Sequence, residues 1–222
     1  MTELSALWIT LKLASISTFW LLLLGTPMAW WLAQKRSTGR TIVEAIVAIP
    51  LVLPPTVLGF YLLIAFAPQS ALGGLWEQLT GQRLAFSFTA LVLGSILYSL
   101  PFVVQPLQSA FQQLPRGLLD AAATLGAGPM DRWGSVILPL CRRSFIAAAS
   151  LGFAHTVGEF GVVLMIGGNI PGETQVLSIA LFDHVEALDF AAAHRLAAGL
   201  ILFSFCTLFL LYRSSGRWSV RA

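Results

Sequence analysis

Charge is what this sequence has least of. Of its 222 residues only 10% are Asp, Glu, Lys or Arg, against about 25% in a soluble domain. Cysteine is almost as scarce. Cys141 stands beside Arg142 and Arg143 and Cys206 lies in an apolar run, so the two are not expected to pair. No Cys/His spacing points to zinc or any other metal site. The run G-x-x-x-x-G-K-[ST] is absent, which excludes the usual phosphate-binding loop for ATP. The stretch Gly167-Gly168-Asn169-Ile170-Pro171-Gly172 lacks a lysine and a following helix start, so it does not replace that loop. No long-period repeat or low-complexity tract is visible. What fills the chain instead is apolar surface, with 57% hydrophobic residues and a mean hydropathy of +0.81. A chain of this kind needs a bilayer as its solvent. Its net charge of +3 would raise the question of nucleic acid in a soluble protein. Here the basic residues sit at the ends of apolar runs, which points to membrane topology and no nucleic-acid partner.

Five stretches are long enough for the roughly 20 helical residues that cross a bilayer core. They cover 7–33, 42–66, 87–112, 143–166 and 193–212. The first is expected to be a retained span and not a cleaved leader, because it lacks a basic segment before it and its apolar run is too long. Lys35, Arg36 and Arg40 occupy the first connection, Arg116, Arg132, Arg142 and Arg143 the third, and Arg213, Arg217 and Arg221 the tail. The other connections hold only Arg83 and Arg195, and Lys12 lies inside a span. The positive-inside bias therefore predicts an N-terminus outside and a C-terminus in the cytoplasm. The fold class is an all-α polytopic membrane protein with one membrane domain over 7–212 and a cytoplasmic tail over 213–222.

Pro50, Pro54 and Pro55 fall within the second span. Proline removes a backbone donor and clashes one turn back, so this helix is expected to kink or break. Two readings are open, a static kink or a wall of the substrate path, since broken backbone at membrane depth survives only inside protein or along a wet cavity. In the fourth span Glu159 is costly to bury, and His155 one turn earlier shares its helical face. A His155–Glu159 pair is expected, either as structure alone or as a polar contact that shifts between two states of the protein. Gly152, Gly158 and Gly161 offer close helix approach, with Ala148 and Gly152 in small-xxx-small spacing. Packing and a flexible seam are both compatible with them. Lys12 is expected to reach the interface along its own stem, with Arg195 in similar position.

Residues 115–139 form an ordered module in the most basic connection. Pro115 suits a first helical turn, and Leu118, Leu119, Ala122 and Leu125 recur at helical spacing. Gly126 can close that helix in the left-handed conformation. Pro129 then starts a second short helix, Met130, Trp133, Val136 and Ile137 give it an apolar face, and Pro139 is expected to end it. Ala121–Ala123 leave a smooth surface that fits a partner's groove, and a rigid element of this kind transmits displacement. An amphipathic pair lying on the membrane surface is the other reading.

Asp120-Ala121-Ala122, then Gly126, Val136 and Leu138-Pro139, resembles the cytoplasmic signature of ABC importer permeases, with Asp for the usual Glu and Val for the usual Ile. Pro50-Leu51-Val52-Leu53-Pro54-Pro55-Thr56-Val57 is similar to the second-span block of molybdate permeases and their sulfate relatives. Gly158-Glu159-Phe160-Gly161 and Gly168-Asn169-Ile170-Pro171-Gly172-Glu173-Thr174 resemble a later block of the same proteins. The motifs and the spans between them cover most of residues 8–212.

The resemblance implies a type I ABC importer permease in a bacterial inner membrane. It implies a permease homodimer with two ATPase subunits and a periplasmic oxyanion-binding protein. No cofactor is expected on this chain, because ATP and Mg would act on the partner ATPase. The loop containing Asp120, Ala121, Ala122, Gly126, Val136, Leu138 and Pro139 would dock to that ATPase. Pro54, Pro55, His155, Gly158, Glu159, Phe160 and Gly161 are candidates for the pathway or its gate. The expected cargo is molybdate or tungstate, with sulfate or thiosulfate as the alternative. An ion-coupled secondary transporter would show inverted repeats and several midplane ionisable groups, and only Glu159 is evident. An intramembrane hydrolase needs a nucleophile and base in reach, whereas Ser150 and His155 point to different helical faces.

Overall fold

The computed structural model describes residues 2–34 and 37–215, so Lys35, Arg36, Arg217 and Arg221 of the topology argument lie outside the described residues. Every regular element among the described residues is helical. In chain order they are α1 (Thr2–Leu32), α2 (Thr38–Val52), α3 (Pro55–Phe66), α4 (Ala71–Thr80), α5 (Phe88–Gln112), α6 (Arg116–Thr124), α7 (Pro129–Arg132), a π-helical turn (Trp133–Ile137), α8 (Leu138–Gly158), α9 (Gly161–Gly167), α10 (Leu177–Glu186) and α11 (Phe190–Ser215). Four stretches are long and apolar enough to cross a membrane: Glu3–Leu32, Phe88–Gln112, Pro129–Gly158 and Phe190–Leu210. The pair α2 and α3 adds a fifth span if the two are counted together.

Serines set several helix starts. The side chains of Ser37, Ser70 and Ser87 accept from the backbone N–H of Arg40, Gly73 and Ala90 at 3.4, 2.9 and 3.1 Å. Each satisfies a donor that the first turn leaves free. α1, α5 and α8 pack on one another and make the centre of the bundle. One half of the core joins Leu21, Val103, Val104, Leu107 and Ala148, all fully buried. The other half joins Leu13, Leu91, Val162, Val163, Ile166 and Ile179, which brings α9 and α10 onto α1 and α5. The Thr10 hydroxyl donates to Ala6 O at 2.7 Å and accepts from Leu177 N at 2.8 Å, tying the start of α10 to α1.

One expectation is met and two need correction. The second span breaks at its prolines, one of the two outcomes expected. α2 and α3 meet at 112°, because Pro54 and Pro55 remove two successive donors and leave Leu53 and Pro54 extended. The fourth span, expected to run over 143–166, ends at Gly158, and α9 begins anew at Gly161. Glu159 is therefore an extended C-cap residue at a break and not a mid-helix position. Finally, Pro139 does not end the second loop helix. The chain runs on from α7 through the π-turn into α8, where Leu138 N–H donates back to Trp133 O. Widening by one residue absorbs the proline's missing donor and its ring without stopping the helix. The two cysteines are free, Cys141 buried and Cys206 exposed.

Candidate functional site

A buried polar seam runs through the otherwise apolar centre. Ser95 and Ser99 are one turn apart on α5, and both are fully buried. Ser99 Oγ lies 2.8 Å from His155 Nδ1 and 3.3 Å from Thr156 Oγ1, and Thr156 donates to Gly152 O at 3.0 Å. The His155 ring stacks on Phe102 with centroids 3.9 Å apart and touches Tyr98 at 4.9 Å. Ser17 and Thr18 on α1 are buried with no hydrogen-bond partner among the described residues. Ser17 stands one turn from Leu21, which faces Gly152. The seam therefore draws on α1, α5 and α8 at one level.

Glu159 stands beside this seam with only 4% of its surface exposed. Neither carboxylate oxygen has a hydrogen-bond partner among the described residues, and Ser95 Oγ is near it but outside hydrogen-bonding geometry. The expected His155–Glu159 pair is absent. His155 turns to Ser99 on α5, while the helix stops at Gly158 and takes Glu159 off its face. The Glu159 carbonyl instead accepts from Ser178 Oγ of α10 at 2.5 Å.

The two helix breaks abut. Pro55 opens α3, Gly161 opens α9, and the two helices run packed together. Gly59 faces Met165 one turn on, where a Cβ would fall 2.8 Å from the Met165 Cβ. Pro54 is exposed next to this junction, and Phe160 packs on Phe182 of α10 with centroids 5.1 Å apart. Gly158 departs from its expected packing role, since it is exposed and has no atom within 4 Å of a Cβ position. Gly152 does pack, 2.8 Å from Val103 by the same measure. Lys12 makes more than a passive excursion: its Nζ lies 4.5 Å from the centre of the Phe88 ring.

At the opposite end of α5, α6 and α7 project from the bundle. Gly126 has φ +85, and Ala127 N–H returns to Ala122 O at 2.9 Å, which closes α6 in a tight left-handed cap. Asp120, Ala121 and Gly126 are exposed, as are Leu138 and Pro139, while Ala122 and Val136 are half-buried. Leu125 and Met130 flank the turn at 88% and 84% exposure, an apolar knob turned outward. Behind it lies a cleft of about 550 Å³ lined by Trp30, Arg40, Phe111, Leu119, Asp120 and Arg132 among others. Arg132 Nε is buried there without a partner among the described residues.

Sequence reasoning missed the serine and threonine seam, the cleft arginines, and Glu44. The last accepts from Gln108 Nε2 at 2.9 Å and joins α2 to α5. Serines spaced by four in an apolar helix were the available signal for Ser95 and Ser99.

A bundle of apolar helices with two broken elements, a buried polar seam and a protruding helix–turn–helix is the build of a membrane transport component. The family model for the binding-protein-dependent transport system inner membrane component matches residues 22–219. The chain belongs to that family. It is 56% identical over 212 residues to the molybdenum transport system permease protein ModB of Azotobacter vinelandii, covering 96% of this chain and 94% of that protein. It is 34% identical to the protein of the same name from Haemophilus influenzae, over 91% of this chain and 87% of that protein. The sulfate transport system permease protein CysT of Salmonella typhimurium is 30% identical over 96% of this chain and 76% of its own length. Among solved structures, the inward-facing MetNI methionine ABC transporter matches with a TM-score of 0.71 at 20% identity, over 94% of this chain and 92% of that one. A bacterial alginate ABC transporter in complex with an alginate pentasaccharide-bound periplasmic protein matches with 0.73 at 14% identity, over 98% and 79%. The fold is that of type I ABC importer permeases.

Proposed function

We propose that this chain is the permease subunit of an ATP-driven molybdate importer in the bacterial inner membrane. The observation that carries the reading is 56% identity, over nearly the full length, to a molybdenum transport permease. The sequence has no phosphate-binding loop for ATP, so the motor is a separate chain. The exposed helix–glycine–helix module with Leu125 and Met130 at its tip is the surface on which that motor docks. A homodimer of this chain with two ATPase subunits receives cargo from a periplasmic oxyanion-binding protein. The N-terminus lies outside and the C-terminus inside. Closure of the ATPases moves α6 and α7. The direct continuation of α7 through the π-turn into α8 carries that movement to Gly158 and Glu159 beside the polar seam. Seryl and threonyl hydroxyls in such a seam donate to an oxyanion without holding it as a fixed positive charge would. The test is reconstitution of the permease with its ATPase and binding protein in proteoliposomes. ATP-dependent uptake of molybdate, with weaker or no uptake of sulfate, is expected. Sulfate uptake at equal or greater efficiency would overturn the cargo assignment, and uptake without ATP would overturn the class.

A further inference from the structure

α11 is largely uncovered: only 6% of its apolar stretch is buried. It packs mainly on α8 and α10, and Leu196 and Leu200 reach the small cluster that holds Ala6 of α1. Between α1 and α11 lies a groove of about 310 Å³. Leu7 and Leu11 form one wall, Leu200 and Phe203 the other, and Val157 and Leu177 the floor. His184 fixes the polarity of the groove: its Nε2 is 3.6 Å from Glu3 Oε1 and its Nδ1 is 3.7 Å from Asp189 Oδ2. The starts of α1 and α11 are therefore at the same end, and the two helices descend together. Glu3 and Arg195 mark that end of the groove, and its walls below them carry no further charge.

We propose that this groove holds one phospholipid with a primary-amine headgroup, its phosphate on Arg195, its ammonium on Glu3, and an acyl chain between the two helices. Depth, polarity and charge agree. From Glu3 to Leu11 an α-helix rises about 12 Å, close to the roughly 15 Å of one leaflet's hydrocarbon. Arg195 has no ion-pair partner among the described residues, although Glu3 lines the same groove. A guanidinium suits a phosphate, and the nearby carboxylate suits a compact ammonium that can donate hydrogen bonds. A choline headgroup offers the carboxylate no N–H, and a glycerol headgroup offers it no cation. The assignment does not depend on the transported cargo.

The test titrates the delipidated transporter complex with phosphatidylethanolamine, phosphatidylcholine or phosphatidylglycerol and counts retained lipids by native mass spectrometry. Retention of phosphatidylethanolamine at least several-fold above the other two is expected. Glu3→Gln should remove the preference for the amine, and Arg195→Gln should weaken all three. Gly199→Leu is the steric arm. Gly199 lines the groove and has open space at its Cβ position, so leucine fills the groove without disturbing the bundle. It should expel the lipid while leaving the melting temperature of the lipid-free complex unchanged. Equal retention of the three lipids, or a preference untouched by Glu3→Gln, overturns the proposal. So does disulfide crosslinking of Leu4→Cys to a second copy of the chain, which would place protein in the groove.

Discussion

Gly161 lies flush against Pro55: a Cβ on the glycine would fall 2.8 Å from the proline's Cβ. Through this one contact, two breaks more than a hundred residues apart in sequence become a single structural joint. The proline sets the start of α3, and the glycine lets α9 start on top of it. Gly161→Val should overfill the joint and destabilise the protein by about 1–3 kcal/mol, as overpacking does. Gly158→Ala serves as the comparison, because that position is open. Thermal unfolding of the purified protein should show a clear loss for the first and little change for the second. Equal losses would mean that the joint is not tightly packed.

Ser99 is the partner that holds His155 in place. Ser99→Ala leaves the imidazole Nδ1 unpaired beside Phe102 and Tyr98, a cost of about 1–3 kcal/mol for a buried polar atom. Adding His155→Phe removes the orphaned group and keeps the ring stack, so the double variant should recover part of the loss. A double-mutant cycle on unfolding midpoints reads this coupling directly. Strict additivity would show that the 2.8 Å contact contributes nothing.

The spans, the loop module and the family were legible in the sequence because each depends on local pattern. The end of the third span at Gln112 follows from where the apolar residues stop. The turn at Gly126 follows from a glycine between two short periodic segments. The break after Gly158 was not legible. Residues 143–166 are mostly apolar and hold no proline to mark a stop, so nothing local separates an extended Glu159 from a helical one. What decides is tertiary: Gly161 must meet Pro55, and the Glu159 carbonyl must meet Ser178 Oγ. The same holds for His155, whose partner lies 56 residues away on α5 and not one turn along its own helix. Pro139 misled in the opposite direction, since helical spacing counts carry no allowance for a π-turn.

Glu159 is kept where it weakens the fold. A buried carboxylate without hydrogen-bond donors is costly, and a neutral amide of the same shape costs less to bury than the charge does. Glu159→Gln should therefore reach the membrane at normal levels and unfold at the same or a higher temperature. Its ATP-dependent uptake should nonetheless fall several-fold, because a group retained against stability at a helix break is retained for function. Immunoblotting of membranes and uptake in proteoliposomes separate the two effects. Parallel loss of protein level and uptake would reduce Glu159 to a structural residue.

Gly126 offers the sharpest test of the protruding module, because its conformation and its surroundings make different demands. Its φ of +85 disfavours any β-branched side chain, yet no atom lies within 4 Å of a Cβ placed there. Gly126→Val is therefore strained by about 1–2 kcal/mol in the turn alone, with no clash to reach the bundle. Gly126→Asn keeps the bulk but tolerates the left-handed conformation. The valine variant should accumulate normally in the membrane but lose copurifying ATPase and the ATP hydrolysis stimulated by the binding protein. The asparagine variant should keep most of both. If valine and asparagine behave alike, the shape of the turn is immaterial and force does not pass through α6 and α7. If valine instead empties the membrane of protein, the module supports folding and is not the handle on which the motor acts.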